Sequence, residues 1–181
     1  MGGARIIQYR DKSSDQAKRL KEATALLTLC RAHDVPLIIN DDLALAQQIG
    51  ADGIHLGRDD ITLQQARSEL GASAIIGISC YNSLQHAQDA ESAGASYVAF
   101  GRFFTSATKP HAVKAEIELL QQAKKTLSIP MVAIGGITPE NGAQLVQAGA
   151  DMLAVIQGVF AQQDIRHACH KFAKLFEDPQ T

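Results

Sequence analysis

The sequence predicts an α/β fold, a (β/α)8 TIM-type barrel of which seven strands can be counted along the chain. Two observations predict this fold. Seven short apolar runs alternate with amphipathic segments over 181 residues, and small glycine-containing turns recur before strands. Continuous apolar runs are typical of strands buried on both faces of a parallel sheet. A repeated β/α unit within one domain indicates a barrel.

The predicted strands are short, and β-branched residues are common in them. The run Met131-Val132-Ala133-Ile134 is typical, because it is apolar at every position and shows no polar alternation. In chain order the strands cover residues 5–9, 37–39, 53–56, 74–78, 97–100, 131–134 and 152–156.

The segments between the strands have the apolar periodicity of surface helices. The first of them places a stripe of apolar residues on one face: Ala17, Leu20, Ala23, Leu27 and Cys30. Thr138 before Pro139 is typical of a helix start. Gly50, Gly94 and Gly149 lie where helices must end before the next strand. Helices are predicted over residues 15–33, 43–49, 62–70, 83–93, 112–127, 139–148 and 164–176.

One β/α unit is expected to be absent from the chain. A closed barrel needs an eighth strand, and Gly2-Gly3-Ala4 resembles the turn at the end of a preceding helix. We therefore expect a single barrel domain over residues 1–181, shortened at its N-terminus, whose first and last strands have unpaired edges. An open doubly wound sheet is the alternative architecture, but no G-x-G-x-x-G motif follows the first strand.

The composition is that of a globular protein without membrane or nucleic-acid partners. Hydrophobic residues make up 46% and charged residues 20% of the chain, and its formal charge is −2. This charge disfavours non-specific binding to nucleic acid. No apolar stretch approaches the roughly 18 residues of a membrane span, and the first residues lack the pattern of a signal peptide. Cys30, Cys80 and Cys169 are isolated, which indicates free thiols and a cytoplasmic location.

Residues that suit a phosphorylated ligand follow several predicted strands, where barrels of this type carry their active sites. Ser106, Thr108 and Lys109 follow the fifth strand, and their hydroxyls and ammonium can bind phosphate oxygens. The alternative for this segment is a solvated turn. Gly135 and Gly136 follow the sixth strand, where backbone amides and a helix start favour an anion. A tight turn is the alternative for the glycine pair.

Acidic residues follow the second and third predicted strands. Asp41 with Asp42, and Asp59 with Asp60, can bring carboxylates near one another. Carboxylates, completed by waters and substrate phosphates, suit Mg²⁺. Capping of the following helix by one aspartate of each pair is the alternative.

Basic residues follow the first predicted strand. Arg10 and Lys12 would face the acidic loops, and cations together with a metal suit a diphosphate. The alternative is an exposed ion pair of these residues with Asp11 or Asp15.

Six short motifs occur in order along nearly the whole chain. They are Gln8-x-Arg10-x-Lys12, Ile39-Asn40-Asp41, Gly53-x-His55-Leu56-Gly57-x-x-Asp60, Gly77-x-Ser79, Ser106-x-Thr108-Lys109 and Ile134-Gly135-Gly136-Ile137. With these motifs the chain resembles thiamine phosphate synthase. The resemblance implies a (β/α)8 barrel and a Mg²⁺-dependent transferase. Such an enzyme joins hydroxymethylpyrimidine diphosphate to thiazole phosphate and releases diphosphate.

The resemblance also implies a role for each matching residue. Asp41 and Asp60 would hold Mg²⁺, and Gln8 would lie near the pyrimidine. The diphosphate would be contacted by Arg10, Lys12, Asn40, Ser79 and Lys109. The thiazole phosphate would be bound by Ser106, Thr108, the pair Gly135-Gly136, and the loop with Gln157 and Gly158. Ser79 and Lys109 are the predicted catalytic residues of this set.

Two positions depart from the family pattern. Arg58 stands where a glutamine is usual, and Gln157-Gly158 stands where a serine commonly serves the phosphate. A thiazole tautomerase and a non-catalytic barrel that binds a phosphorylated ligand are the alternative functions. The expected partners are the two small-molecule substrates, with a second copy of the chain as a further candidate and with no nucleic acid or membrane.

Overall fold

The computed structural model describes residues 2–105 and 113–177. Within them it confirms the predicted α/β class and the seven strands. These are β1 (Ile7–Tyr9), β2 (Leu37–Asn40), β3 (Gly53–Leu56), β4 (Ile75–Tyr81), β5 (Tyr97–Phe100), β6 (Met131–Ile134) and β7 (Met152–Ala154). Neighbouring strands follow chain order, and every pair whose register the structure gives is parallel. Parallel strands in chain order, connected by helices, are the topology of a (β/α) TIM-type barrel.

Eight helices occur in the described residues. Asp15 caps the first by accepting a hydrogen bond from Lys18 N, and Ser83 caps the fourth by accepting one from His86 N. None of these helices is long and apolar enough to cross a bilayer. They are α1 (Gln16–Arg31), α2 (Leu43–Ile49), α3 (Leu63–Leu70), α4 (Leu84–Ser92), α5 (Glu118–Lys124), α6 (Pro139–Gln147), α7 (Gln157–Phe160) and α8 (Ile165–Lys174).

The chain divides into two compact units, and the first covers Ala4–Ile78. Its core lies where α1 and α2 pack against β2. Of the predicted α1 stripe, three members are buried, whereas Ala17 is exposed and Leu20 is half-buried. Leu27 is 4% exposed, and burial of one leucine contributes about 1.5–3 kcal/mol. The stripe therefore fixes which face of α1 meets the sheet.

The second unit covers Ser79–Thr181 together with Met1–Gly3. In its described part all of β5 is buried, and so is β6 except for its last residue. Burial at successive positions agrees with the continuous apolar runs predicted for parallel strands. Ile134, at the carboxyl end of β6, is 40% exposed. The end of this strand is thus open to solvent, as expected of a rim that carries a site.

The helix predicted over residues 112–127 begins later in the structure than predicted. In the described residues it starts only at Glu118. Residues 113–115 instead pair with the backbone of Arg102, which donates its N–H to Val113 O at 3.0 Å and accepts from Ala115 N at 2.8 Å. This backbone pairing, which no apolar periodicity reveals, outweighs the helical pattern at these positions.

Three further differences from the predictions concern the candidate site. Strand β4 continues to Tyr81, so Ser79 lies inside the strand and not in the following loop. Strand β7 ends at Ala154, two residues earlier than predicted. Residues 157–160 were predicted as a loop and form the short helix α7.

Two of the predicted turns before strands make the same contacts. Asp52 precedes β3, and its Oδ2 accepts from Leu37 N at 2.8 Å. Asp151 precedes β7, and its Oδ2 accepts from Met131 N at 2.9 Å. Leu37 and Met131 are the first residues of β2 and β6. Each aspartate therefore satisfies the backbone donor that begins the neighbouring strand.

Replacement of Asp151 with alanine is expected to destabilise the chain by about 1–3 kcal/mol, because the buried Met131 N–H loses its acceptor. Lys124→Met is the matched control. It removes only the exposed ion pair between Lys124 and Asp151, which contributes at most about 1 kcal/mol. Urea unfolding followed by circular dichroism measures the free energy of unfolding of both variants. Equal losses in the two would contradict this role of Asp151.

Candidate active site

A lysine, an asparagine and an aspartate meet at the ends of β1 and β2. Asp41 directly follows β2, and its Oδ2 accepts hydrogen bonds from Lys12 Nζ and from Asn40 Nδ2. Lys12 thus forms its ion pair with Asp41 and not with Asp11 or Asp15, so that alternative does not hold for it. The Lys12 side chain is 54% and the Asp41 side chain 22% exposed. The pair is therefore accessible to a ligand.

Asp41 has an unusual backbone conformation. Its φ of 53° lies in the left-handed region, which few residues other than glycine, asparagine and aspartate adopt. Asp41 N donates to His55 O of β3 at 2.9 Å, and Asp42 N donates to Asn40 O at 2.8 Å. These two bonds fix the turn that carries the Asp41 carboxylate beside the end of β3.

The loop after β1 is organised by Asp11. Its Oδ1 accepts from Ser13 N at 2.8 Å, and its Oδ2 accepts from Ser13 Oγ and Lys18 Nζ, each at 3.0 Å. The Ser13 amide, followed by Lys18 and the Ser13 hydroxyl, lowers the pKa of Asp11 to about 2. Arg10 and Gln8 are exposed. Arg10 makes no hydrogen bond or ion pair with the residues that the structure describes, so its charge is available to a ligand.

Helix capping accounts for Asp42 but not for Asp41. Asp42 is the N-cap of α2, and its Oδ1 accepts from Leu45 N at 2.9 Å. Its Oδ2 accepts from Arg19 Nη2 at 2.5 Å. Both carboxylate oxygens of Asp42 therefore have structural partners. Among the described residues, the donors to the carboxylate of its neighbour Asp41 are Lys12 and Asn40 of the candidate site.

Helix capping does not account for Asp60 either. Helix α3 is capped by Thr62, which forms a capping box with Gln65, so capping by Asp59 or Asp60 does not hold. Asp60 instead accepts from Gly57 N at 2.6 Å through Oδ2. This bond closes the turn after β3 and fixes the Asp60 carboxylate within it.

Asp41 and Asp60 fit a Mg²⁺ site by their chemistry. Within the described part of the chain, hydrogen bonds to both side chains reach Oδ2 only, which leaves each Oδ1 for a ligand. Proteins bind Mg²⁺ through one or two carboxylates, with waters and substrate phosphates completing the shell. No cluster of three or more His, Cys, Asp or Glu side chains suited to a metal occurs in the described residues. A magnesium ion at these two aspartates would therefore depend on oxygens from the substrate and water.

The glycine pair after β6 forms a tight turn, as the structural alternative predicted. Gly135 and Gly136 have φ values of 103° and 65°. A Cβ on Gly135 would lie 2.3 Å from Arg102 Cβ, and one on Gly136 would lie 2.5 Å from Thr105 O. Asn141 Nδ2 donates to Gly136 O at 3.1 Å and ties the turn to the start of α6. Both positions therefore require glycine for packing, whatever ligand approaches them.

Gly158 contacts the segment that follows this turn. A Cβ on Gly158 would lie 2.7 Å from Ile137 O, so the segments after β6 and β7 pack closely on each other. This close packing, like the glycine turn, leaves no room for a larger side chain. A serine could therefore not stand at Gly158 without displacing Ile137.

A cavity of about 360 Å³ lies beside these segments. The pKa of Glu140, in its lining, is lowered mainly by a hydrogen bond with the Thr138 side chain. Carboxylates and basic groups both line this cavity, so it differs from a cationic phosphate site. Nothing in the sequence pattern had indicated this cavity. Its polar and charged lining includes Thr138, Glu140, Gln162, Asp164, His167 and Lys171.

The remaining predicted site residues are placed as follows. Ser79 is half-buried in β4, and Gln157 is exposed as the first residue of α7. Ser106, Thr108 and Lys109 lie outside the described residues. The Arg19–Asp42 ion pair was missed by the sequence analysis, because Arg19 has the spacing of an ordinary helix-surface residue.

Comparison with known proteins relates the chain to one family. The sequence model of the family described as thiamine monophosphate synthase matches residues 1–159. A thiamine-phosphate synthase of Nitrosococcus oceani is 55% identical over 175 residues, which are 97% of this chain and 81% of that protein. One of Thiobacillus denitrificans is 51% identical over 97% of this chain and 83% of that protein. The solved thiamine phosphate pyrophosphorylase from Pyrococcus furiosus superposes with a TM-score of 0.89 at 33% identity, over 97% of this chain and 84% of that one.

Proposed function

The chain belongs to the thiamine monophosphate synthase family, and we propose that it joins hydroxymethylpyrimidine diphosphate to thiazole phosphate with release of diphosphate. The relatives named thiamine-phosphate synthase confirm the predicted enzyme class, a transferase of thiamine biosynthesis. The observation that carries the proposal of these substrates is the contact of Lys12 and Asn40 with Asp41. A carboxylate supplies a ligand for Mg²⁺, and the adjacent ammonium and amide supply donors for diphosphate oxygens.

In the proposed reaction, the bond between the pyrimidine methylene carbon and the diphosphate oxygen breaks first. The oxygen leaves with the electron pair of that bond, and a resonance-stabilised pyrimidine cation remains. The thiazole nitrogen then donates its lone pair to the methylene carbon and forms the new C–N bond. No protein nucleophile is required. The Cys80 thiol is not suited to act as a nucleophile, since burial raises its pKa to about 12.

The task of the first unit is to hold the departing diphosphate. Arg10 and Lys12 supply positive charge on a loop that Asp11 organises through Ser13 and Lys18. Charges that are fixed before the reaction stabilise the leaving group without reorganisation during the step. Asp41 and Asp60 would hold Mg²⁺, and the ion, when bound, would supply Lewis-acid neutralisation of the diphosphate.

Further predicted site residues are proposed to serve the two substrates. Ser79 and Lys109 contact the diphosphate, and Ser106, Thr108, the loop with Gly136 and the start of α7 at Gly158 bind the thiazole phosphate. The close packing of Gly158 on the segment after β6 supports the use of backbone amides in place of a serine hydroxyl. We also propose a cytoplasmic location, supported by the free and buried thiols of Cys30 and Cys80. Association with a second copy of the chain stays a prediction.

An electron-withdrawing group on the pyrimidine tests the proposed order of bond breaking. Loss of about 3 kcal/mol of cation stabilisation slows the chemical step on the order of a hundredfold. Single-turnover rates of the substituted and natural substrates measure this effect. Equal rates would contradict a cationic intermediate and would favour direct displacement.

The same preparation tests the alternative functions. Thiazole phosphate incubated alone with the chain is expected to stay unchanged. Its isomerisation without the pyrimidine substrate would instead indicate a tautomerase. Tight binding of thiazole phosphate without any turnover of the substrate pair would indicate a non-catalytic binding protein.

A further inference from the structure

We propose that Arg19 is a positioning residue for the Asp41 carboxylate and acts on it through Asp42. The inference rests on the proposed function, in which Asp41 is a ligand of Mg²⁺. Arg19 lies on α1, and its Nη2 donates to Asp42 Oδ2 at 2.5 Å. The ion pair thus joins helix α1 to the turn that follows β2, entirely within the first unit.

The Arg19–Asp42 pair is more shielded than the ion pairs that Lys12 and Lys18 form. The two side chains are 18% and 24% exposed, whereas Lys12 and Lys18 are 54% and 50% exposed in theirs. Shielding strengthens the attraction between charges and lowers the effect of salt. Arg19 therefore anchors the turn more strongly than an exposed ion pair would.

Both carboxylate oxygens and the backbone N–H of Asp42 form hydrogen bonds. Its Oδ2 meets Arg19, its Oδ1 accepts from Leu45 N at 2.9 Å, and its N–H donates to Asn40 O at 2.8 Å. Asp41 lies directly between Asn40 and this anchored residue. Because Asp41 adopts φ 53°, a conformation of higher energy for most side chains, the turn needs such anchors on both sides.

The anchor matters for the metal because the position of Asp41 depends on the turn. Loss of Arg19 would leave Asp42 as an unneutralised carboxylate next to Asp41. The added negative charge alone would favour a cation, so electrostatics predicts tighter metal binding in the variant. If Arg19 acts by positioning Asp41, its loss weakens metal binding instead. Loss of a group that orients a metal ligand typically lowers metal affinity or activity about 10–100-fold. The two effects thus differ in sign.

The test compares Mn²⁺ binding in Arg19→Met, Arg19→Lys, Asp42→Asn and the double variant. Free Mn²⁺ is measured by electron paramagnetic resonance in the presence of diphosphate, and the magnesium concentration for half-maximal turnover is measured in parallel. Arg31→Met is the matched control, because Arg31 lies on the same helix and donates to Gly50 O at 2.8 Å, beyond the other end of α2.

Arg19→Met and Asp42→Asn are each expected to weaken Mn²⁺ binding at least about tenfold, with no further loss in the double variant. Arg19→Lys should restore part of the affinity, and Arg31→Met should bind like the wild type. Asn is itself a good N-cap, so Asp42→Asn keeps the helix start. A lowered melting temperature with unchanged Mn²⁺ affinity, or a tighter affinity, would overturn the proposal. Failure of the wild-type chain to bind Mn²⁺ would instead reject the proposed metal site itself.

Discussion

Replacement of Asp41 with asparagine is expected to lower magnesium-dependent formation of thiamine phosphate by more than about tenfold at limiting Mg²⁺. The substitution removes the charge that would hold the metal and keeps a side chain of the same size. Asparagine also tolerates the left-handed conformation, which Asp41 adopts with φ 53°. The loss would therefore report on metal chemistry and not on a refolded turn.

The same loss is expected for Asp60→Asn, whose side chain can still accept from Gly57 N. Asp59→Asn is the matched control, because Asp59 is the exposed neighbour of Asp60 and has no assigned role. Initial rates over a range of Mg²⁺ concentrations measure all three variants. Full activity of both Asp41→Asn and Asp60→Asn at limiting Mg²⁺ would show that the metal is held elsewhere.

Replacement of Lys109 with alanine is expected to reduce kcat on the order of a hundredfold, with a smaller change in the KM for thiazole phosphate. The ammonium is proposed to meet negative charge that grows as the diphosphate departs, and one such contact contributes about 3 kcal/mol. A group that acts mainly on the transition state lowers kcat more than it raises KM.

Lys114→Ala is the control for Lys109→Ala. Lys114 is exposed and pairs with Glu116 at 3.0 Å, so its loss changes the net charge equally without a proposed role. Single-turnover and steady-state kinetics separate the chemical step from binding. A raised KM for thiazole phosphate with kcat intact would place Lys109 on the other substrate.

Elements with a repeated pattern could be predicted from the sequence. The continuous apolar runs gave the strands, and polar residues before amphipathic segments gave most helix starts, as at Asp15 and Ser83. The pattern failed where backbone groups pair without regard to side-chain polarity. Residues 113–115 have helical periodicity, yet their backbone bonds with Arg102 keep them out of α5.

The residue types of the candidate site could be predicted from the sequence, but the contacts between these residues could not. Sequence spacing could not decide whether an aspartate of either pair caps a helix. Capping depends on the backbone dihedral angles of each turn residue, which the spacing does not reveal. Asp42 caps α2 and Asp41 does not, while α3 is capped by Thr62 and by neither aspartate of the second pair. The Arg19–Asp42 pair joins residues 23 positions apart, and no local pattern indicates such a contact.

The proposed reaction is tested most directly with both substrates in the same vessel. Hydroxymethylpyrimidine diphosphate and thiazole phosphate are incubated with the chain and Mg²⁺, and thiamine phosphate and diphosphate are quantified together. We expect equal amounts of the two products, and we expect both to disappear when Mg²⁺ is removed by a chelator. Diphosphate release without thiamine phosphate, or product formation that persists in the chelator, would contradict the proposed Mg²⁺-dependent transfer.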